Sequence, residues 1–193
     1  MASSIDYEVP TWNQIYEMLL CQAQKIKIQN FKQDIIIAIA RGGVVPARIL
    51  SDLLGTPNLS FIQIEFYTNI SQTLQEPTLK QTITTNVRGK KILLVDDIAD
   101  TGKSLKLAKT HLQQQGAFEI KTATLYQKPQ SITAPDFYEK QTTNWVVFPW
   151  DTKETLRKII QRPLGKRFLN QEVAKLVKAG LPKQLAGKLI NDI

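Results

Sequence analysis

The sequence contains one cysteine, Cys21, and one histidine, His111. A single cysteine excludes an intramolecular disulfide and fits a reducing, cytoplasmic compartment. A single histidine excludes any site built on two, and the pair is too small a ligand set for structural zinc. No apolar run reaches the 18 or so residues of a membrane span; the longest, Ile35 to Ala40, has the length of a strand. The first residues lack the basic region and apolar stretch of a signal peptide. Internal repeats and low-complexity segments are absent. The 42% apolar and 22% charged content of 193 residues is enough for one sizeable core, hence one domain or one domain with an appendage.

The net charge of +8 is uneven. Residues 1–151 carry fifteen Lys/Arg against fourteen Asp/Glu, and residues 152–193 carry ten against three. A basic tail suits nucleic acid, anionic lipid or an acidic partner, and equally an ordinary solvated face. Phe168 is its only aromatic, so it lacks the interleaved rings that stack on single strands.

The periodicity alternates between two kinds. Apolar residues at three- and four-residue steps predict a helix from Thr11 to Lys27, with Thr11 as its cap and Cys21 on its buried stripe. Continuous apolar runs at 34–40 and 91–95 predict strands buried on both faces of a parallel sheet. Val44 to Leu54 reads as a helix with Pro46 in its first turn, and Leu59 to Phe66 as a strand. Residues 67–89 are polar and predict a mobile loop or exposed hairpin. Ser104 to Gln115 reads as a helix, Ile120 to Tyr126 as one strand, Trp145 to Phe148 as a short strand, and Asp151 to Ile160 as a helix. The tail then holds two short amphipathic pieces, a predicted helical hairpin. Strands alternating with helices predict a doubly wound α/β sheet, whose ligands sit at the carboxyl ends of the strands. Arg41-Gly42-Gly43 and the segment from Asp96 to Ser104 fall at such ends.

The second segment carries the most chemistry. A buried strand runs into Asp96-Asp97-Ile98-Ala99-Asp100-Thr101-Gly102-Lys103-Ser104, which opens a helix. A helix start offers unpaired N–H groups and a positive dipole end to a phosphate. Gly102 permits close backbone approach, Thr101 and Ser104 add hydroxyls, and Lys103 adds charge. Asp96 and Asp97 are acceptors for sugar hydroxyls or a magnesium-bound ligand. Phosphate beside acids is repelled unless hydroxyls lie between them, a condition that a sugar phosphate meets. The ending Gly102-Lys103-Ser104 also terminates a P-loop, but that motif needs glycine where Asp97 stands. A helix-capping turn through Asp100 or Thr101 is the purely structural alternative.

This segment resembles the phosphoribosyl-pyrophosphate (PRPP) signature of type I phosphoribosyltransferases. The resemblance implies a Rossmann-like α/β core with a parallel sheet, a flexible loop and a small base-binding hood over residues 1–151, followed here by a basic helical extension over 152–193. It makes Ala40-Arg41-Gly42-Gly43 the pyrophosphate loop, with the Ala40–Arg41 peptide cis. The implied PRPP set is Arg41, Gly42, Gly43, Asp96, Asp97, Asp100, Thr101, Gly102, Lys103 and Ser104. Asp100 becomes the catalytic proton handler at purine N7, and Tyr67 the residue of the closing loop.

Two further segments, Tyr126-Gln127-Lys128-Pro129 and Trp145-Val146-Val147-Phe148-Pro149-Trp150-Asp151, are similar to the xanthine-guanine branch of that family. They imply that Trp145 stacks on the base, Lys128 donates to the oxygen at purine carbon 6, the backbone of Val146 binds the purine edge, and Asp151 helps hold Mg2+. The implied reaction transfers 5-phosphoribose from PRPP to a 6-oxopurine, releasing pyrophosphate. The implied assembly is a homo-oligomer, dimer or tetramer, without membrane contact. Two alternatives stand beside it: a related transferase with another acceptor, and a PRPP-binding regulator that contacts nucleic acid through the basic tail.

Overall fold

The computed structural model describes residues 6–67, 76–161 and 165–193. In chain order the elements are β1 (Tyr7–Glu8), α1 (Trp12–Ile28), β2 (Ile35–Ala40), α2 (Val44–Leu53), β3 (Leu59–Tyr67), β4 (Glu76–Gln81), β5 (Lys91–Val95), β6 (Ile98–Ala99), α3 (Lys103–Gln114), β7 (Glu119–Ala123), β8 (Tyr126–Gln127), β9 (Lys140–Gln141), β10 (Trp145–Val146), α4 (Thr152–Gln161), α5 (Gly165–Lys178) and α6 (Lys183–Asn191). They fall into two compact units. Tyr16–Thr142 forms one; the residues up to Ile15 and Thr143–Ile193 form the other.

The larger unit is built on a sheet ordered β4-β3-β2-β5-β7, parallel except for β4. The Ile-rich and Leu-rich runs take its central positions because they are apolar on both sides. Ile37, Ile39, Ile92 and Leu94 face Leu105, Ala108 and Leu112 of α3 in one core cluster. Connections β2-α2-β3 and β5-α3-β7 run outward in opposite directions from the centre. With right-handed crossovers this places α2 and α3 on opposite faces. The order of strands therefore reverses between β2 and β5, where an open α/β sheet leaves a crevice at the strand ends. The expected α/β class with a mostly parallel sheet holds.

Several local expectations are corrected. Ile120 to Tyr126 is not one strand. After Ala123 the backbone leaves the main sheet: Thr124 N–H donates to Phe137 (2.9 Å), and Leu125 and Tyr126 N–H both donate to the Asp97 carbonyl (3.0 and 3.2 Å). Tyr126–Gln127 then joins a second small sheet, β6-β8-β9. The segment after Asp97 is accordingly not all loop, since Ile98–Ala99 is its edge strand. Cys21 is exposed, not buried. The buried stripe of α1 runs through Leu19, Gln22, Ala23 and Ile26, and Cys21 lies about 200° around the helix from Leu19. Gln22 takes an inward position because its amide donates to the Thr124 carbonyl at 2.8 Å. Thr11 does cap α1: its hydroxyl accepts from Gln14 N–H (3.3 Å), and the Gln14 side chain accepts from Thr11 N–H (2.8 Å). The polar segment after β3 returns as β4, an antiparallel hairpin arm; residues 68–75 lie outside the described residues.

In the smaller unit, β1 and β10 pair in parallel, Tyr7 with Trp145 and Glu8 with Val146. Tyr7, Val147, Leu156, Ile159, Leu176 and Leu181 make its core, closed by Ala186 of α6. Part of the tail's positive charge is matched within it, by the pairs Lys158–Glu154, Lys175–Glu172 and Lys153–Asp192.

Candidate functional site

A cleft of about 300 Å3 opens at the carboxyl end of β5, lined by Phe66 and by the chain from Asp96 to Gly102. The loop after β2 presses against it. A carbon added to Gly42 would lie 2.5 Å from Cγ of Asp97, and one added to Gly43 would lie 2.8 Å from the Ile39 carbonyl and 2.9 Å from Cα of Asp96. The two loops touch there: a carbon at Gly43 would meet backbone, and one at Gly42 would push the Asp97 carboxylate aside. The Ala40–Arg41 peptide is cis, as the resemblance implied.

Asp96 and Asp97 stand side by side, and Asp97 N–H donates to Oδ1 of Asp96 at 2.9 Å. Burial, reinforced by the Asp97 charge, holds the Asp96 carboxyl well above the ordinary carboxylate range. The pair is thus suited to hydroxyl donors or to a cation, either of which relieves the repulsion.

Helix α3 begins at Gly102, whose φ of 75° is left-handed, and no side chain caps it among the described residues. The capping alternative therefore reduces to one long contact, Lys103 N–H to the Thr101 hydroxyl at 3.4 Å. The start of the helix meets the cleft, where Gly102, Ser104 and Leu105 line the wall. Lys103 turns its ammonium to Glu76 on β4, 2.6 Å away. Asp100 is exposed, and the Gln130 amide donates to it at 3.4 Å.

The small sheet explains why Lys128 belongs with this loop. Strands β6 and β8 pair in parallel with Ala99 opposite Gln127. Asp100 and Lys128 are the next residues on each strand, and Lys128 N–H donates to the Ala99 carbonyl at 2.9 Å. Lys128 is only 8% exposed, which is rare for lysine and costs desolvation.

The other unit holds Trp145, Val146 and Asp151. Trp145 is 36% exposed and Val146 is buried. Trp145 N–H donates to Asp6 (2.9 Å) and Val147 N–H to Glu8 (2.8 Å), so alternation turns the N–H and C=O of Val146 away from β1. Trp150 stacks on Phe148, 4.7 Å between ring centres at 6°, and is packing material. Asp151 is half-buried just ahead of α4, and its carbonyl accepts from Thr155 N–H at 2.9 Å. Tyr67 ends β3; its side chain lies outside the described residues.

Residues of the site that the sequence reading does not assign include Phe66 and Leu105, which wall the cleft, Glu76, which holds Lys103, and Gln130, which touches Asp100. Phe66 and Gln130 border motif residues; for Glu76, set in a polar stretch without periodicity, no signal exists.

The sequence pattern of the phosphoribosyl transferase domain family matches residues 12–155. A xanthine-guanine phosphoribosyltransferase of Nitratidesulfovibrio vulgaris is 32% identical over 145 residues, which is 74% of this chain and 83% of that protein. One from Gluconobacter oxydans is 29% identical over 151 residues, 77% of this chain and 87% of that protein. Among solved structures, the purine phosphoribosyltransferase of Pyrococcus horikoshii superposes with a TM-score of 0.69 at 36% identity, covering 76% of this chain and 94% of that one.

Proposed function

The chain belongs to the phosphoribosyltransferase family, and from that premise we propose that it transfers 5-phosphoribose from PRPP to a 6-oxopurine, giving the nucleoside monophosphate and pyrophosphate. It is a glycosyltransferase of purine salvage. The observation that carries the substrate class is the register of β6 on β8, which sets Asp100 and buried Lys128 one residue beyond a paired position. A 6-oxopurine presents N7 and the carbon-6 oxygen side by side on one edge. Lys128 donates to that oxygen, and Asp100 accepts from N7–H. Adenine has an amino donor at carbon 6 and offers the ammonium no acceptor at that position.

PRPP lies, in this reading, with its pyrophosphate on Arg41, Gly42 and Gly43, its ribose hydroxyls on Asp96 and Asp97, and its 5-phosphate on Thr101, Gly102, Ser104 and the start of α3. Lys103 adds positive charge beside the phosphate site while bound to Glu76. In the reaction the bond from ribose carbon 1 to pyrophosphate breaks, the bond to N9 forms, and Asp100 takes the N7 proton. Positioning supplies much of the acceleration. Among the described residues no three acid, histidine or cysteine side chains gather as a metal centre. The acids present fit an ion carried in on pyrophosphate, with Asp151 as its ligand from the protein. Magnesium so bound would neutralise charge on the leaving group. Trp145 stacks on the purine, worth about 1–3 kcal/mol, and the outward-turned backbone of Val146 meets its edge. Tyr67, the last residue of β3, is assigned to excluding water from the reaction, as the resemblance implies.

Residues 1–151 carry this function, and 152–193 are an extension, a division supported by the family pattern ending at residue 155. The exposed thiol of Cys21 supports a cytoplasmic location, and among the described residues no helix is long and apolar enough to cross a membrane. Exposed Trp12, Tyr16 and Leu20 along α1 support a homo-oligomer, a dimer or tetramer.

The test is nucleotide formation from PRPP and magnesium with hypoxanthine, guanine, xanthine and adenine in parallel. Turnover of a 6-oxopurine without adenine is expected. Turnover of adenine alone, or PRPP binding with no reacting base, overturns the proposal.

A further inference from the structure

We propose that Glu172, on a helix beyond the family pattern, is a positioning residue for base binding, acting through Tyr7 on the strand that carries Trp145 and Val146. The inference rests on the base-binding role given above to those two residues.

Strand β10 has two residues, and among the described residues of its unit it pairs only with the two-residue β1. A ladder this short does not hold its own register. Its fixity comes from the core beneath Val147 and from whatever holds β1. Tyr7 is that anchor. It is opposite Trp145 in the register, 7% exposed, and its ring lies in the cluster with Val147, Leu156 and Leu176. The buried phenol needs a partner. Its O–H donates to the Glu172 carboxylate. Glu172 is fixed in turn by Lys175, 2.8 Å away one turn later on α5. A charge-assisted bond is stronger and more directional than a neutral one. The line of contact therefore runs from Lys175 to Glu172 to Tyr7, and from Tyr7 across the ladder to Trp145. Residues 165–193 provide the acceptor and, through Leu176, Leu181 and Ala186, much of the surrounding core. The extension is thus part of the support of the base-binding strand.

The test compares the full chain with Glu172→Gln, Glu172→Ala, Tyr7→Phe and the Tyr7→Phe/Glu172→Ala double variant. Two readouts are taken: steady-state kinetics for base and PRPP separately, and amide hydrogen exchange. Glu172→Ala and Tyr7→Phe should each raise the KM for the base about 5–10-fold, leaving kcat and the KM for PRPP within twofold. The double variant should add little to either, because both remove one contact. Glu172→Gln keeps an acceptor and should recover most of the base KM. Exchange at the Trp145 and Val147 amides should quicken about tenfold in the two single variants, with the β5 amides unchanged. An unchanged base KM and unchanged exchange at Trp145 and Val147 would overturn the proposal, whatever happens to the melting temperature. If the unaltered protein turns over no 6-oxopurine, the functional reading fails, and the exchange readout still decides whether the Tyr7–Glu172 contact holds the strand.

Discussion

Gly42 leaves no room for a side chain against Asp97: a carbon built on it would stand 2.5 Å from Cγ of the aspartate. The neighbouring Gly43 meets backbone instead, the Ile39 carbonyl and Cα of Asp96. The two substitutions should therefore differ in kind. Gly42→Ala displaces a movable carboxylate, and the loss of one charged hydrogen bond to ribose, about 1.5–3 kcal/mol, should weaken PRPP binding about 10–100-fold with the melting temperature kept. Gly43→Ala overpacks fixed backbone and should cost about 1–3 kcal/mol of stability. Calorimetric titration with PRPP and thermal unfolding separate them, and equal loss of stability in both variants would contradict the assignment.

Asp96 gives a dependence on pH. Its carboxyl is raised above the ordinary value of 3.8, first by burial and then by Asp97. The folded state therefore holds more protons than the unfolded state between those two values, and stability falls as pH rises through that interval. Asp96→Asn removes the charge and keeps the acceptor for Asp97 N–H. It should raise the melting temperature at pH 7, and the gain should shrink to nothing as pH falls toward 3.8. A variant less stable than the parent at neutral pH would show that the carboxylate is stabilised in place. PRPP affinity should fall in the same variant, the cost of losing an acceptor for ribose.

Asp100→Asn tests the proton transfer. General base contributions run about 10²–10⁴-fold, so kcat should drop by that order, with a smaller loss of PRPP affinity. Asp100 is exposed, and among the described residues its side chain takes only the long contact from Gln130, so the fold should be undisturbed. A kcat within threefold of the parent removes Asp100 from the chemistry.

Lys128→Gln tests base choice. The ammonium at the end of β8 is nearly buried, and its loss should reduce kcat/KM for 6-oxopurines about 10–100-fold, from the worth of a charged hydrogen bond. Competition by adenine should be unchanged, because adenine gains nothing from the cation. Equal weakening of adenine competition and 6-oxopurine turnover would mean that Lys128 holds the fold and does not read the purine.

The parts legible in the sequence are those with long or unusual patterns. The runs at 35–40 and 91–95 are apolar at every position, and only a doubly covered strand accommodates that. Three acids within five residues after such a strand are poorly explained by packing, and they line the cleft. What escaped depends on single backbone bonds. Ile120 to Tyr126 looks continuous, but the Asp97 carbonyl captures the amides of Leu125 and Tyr126 and turns the chain into another sheet. Strands of two residues, β1 and β6, are too short to show a period. Cys21 has the apolar character of the stripe, but the inward position goes to Gln22, whose amide donates to a carbonyl.

The composition of the smaller unit has a consequence for biosynthesis. Its core joins Tyr7 to Leu176, Leu181 and Ala186, nearly the whole sequence apart, whereas Tyr16–Thr142 is one uninterrupted stretch. Chains emerge from the ribosome amino end first, and domains generally fold as units. The stretch that bears the loops of the cleft is complete before α5 and α6 are made, and Tyr7 must wait, its ring uncovered, until they arrive. A chain stalled short of α5 would therefore hold a complete main sheet and an unassembled smaller unit, with Tyr7 and Val147 uncovered for chaperones to recognise.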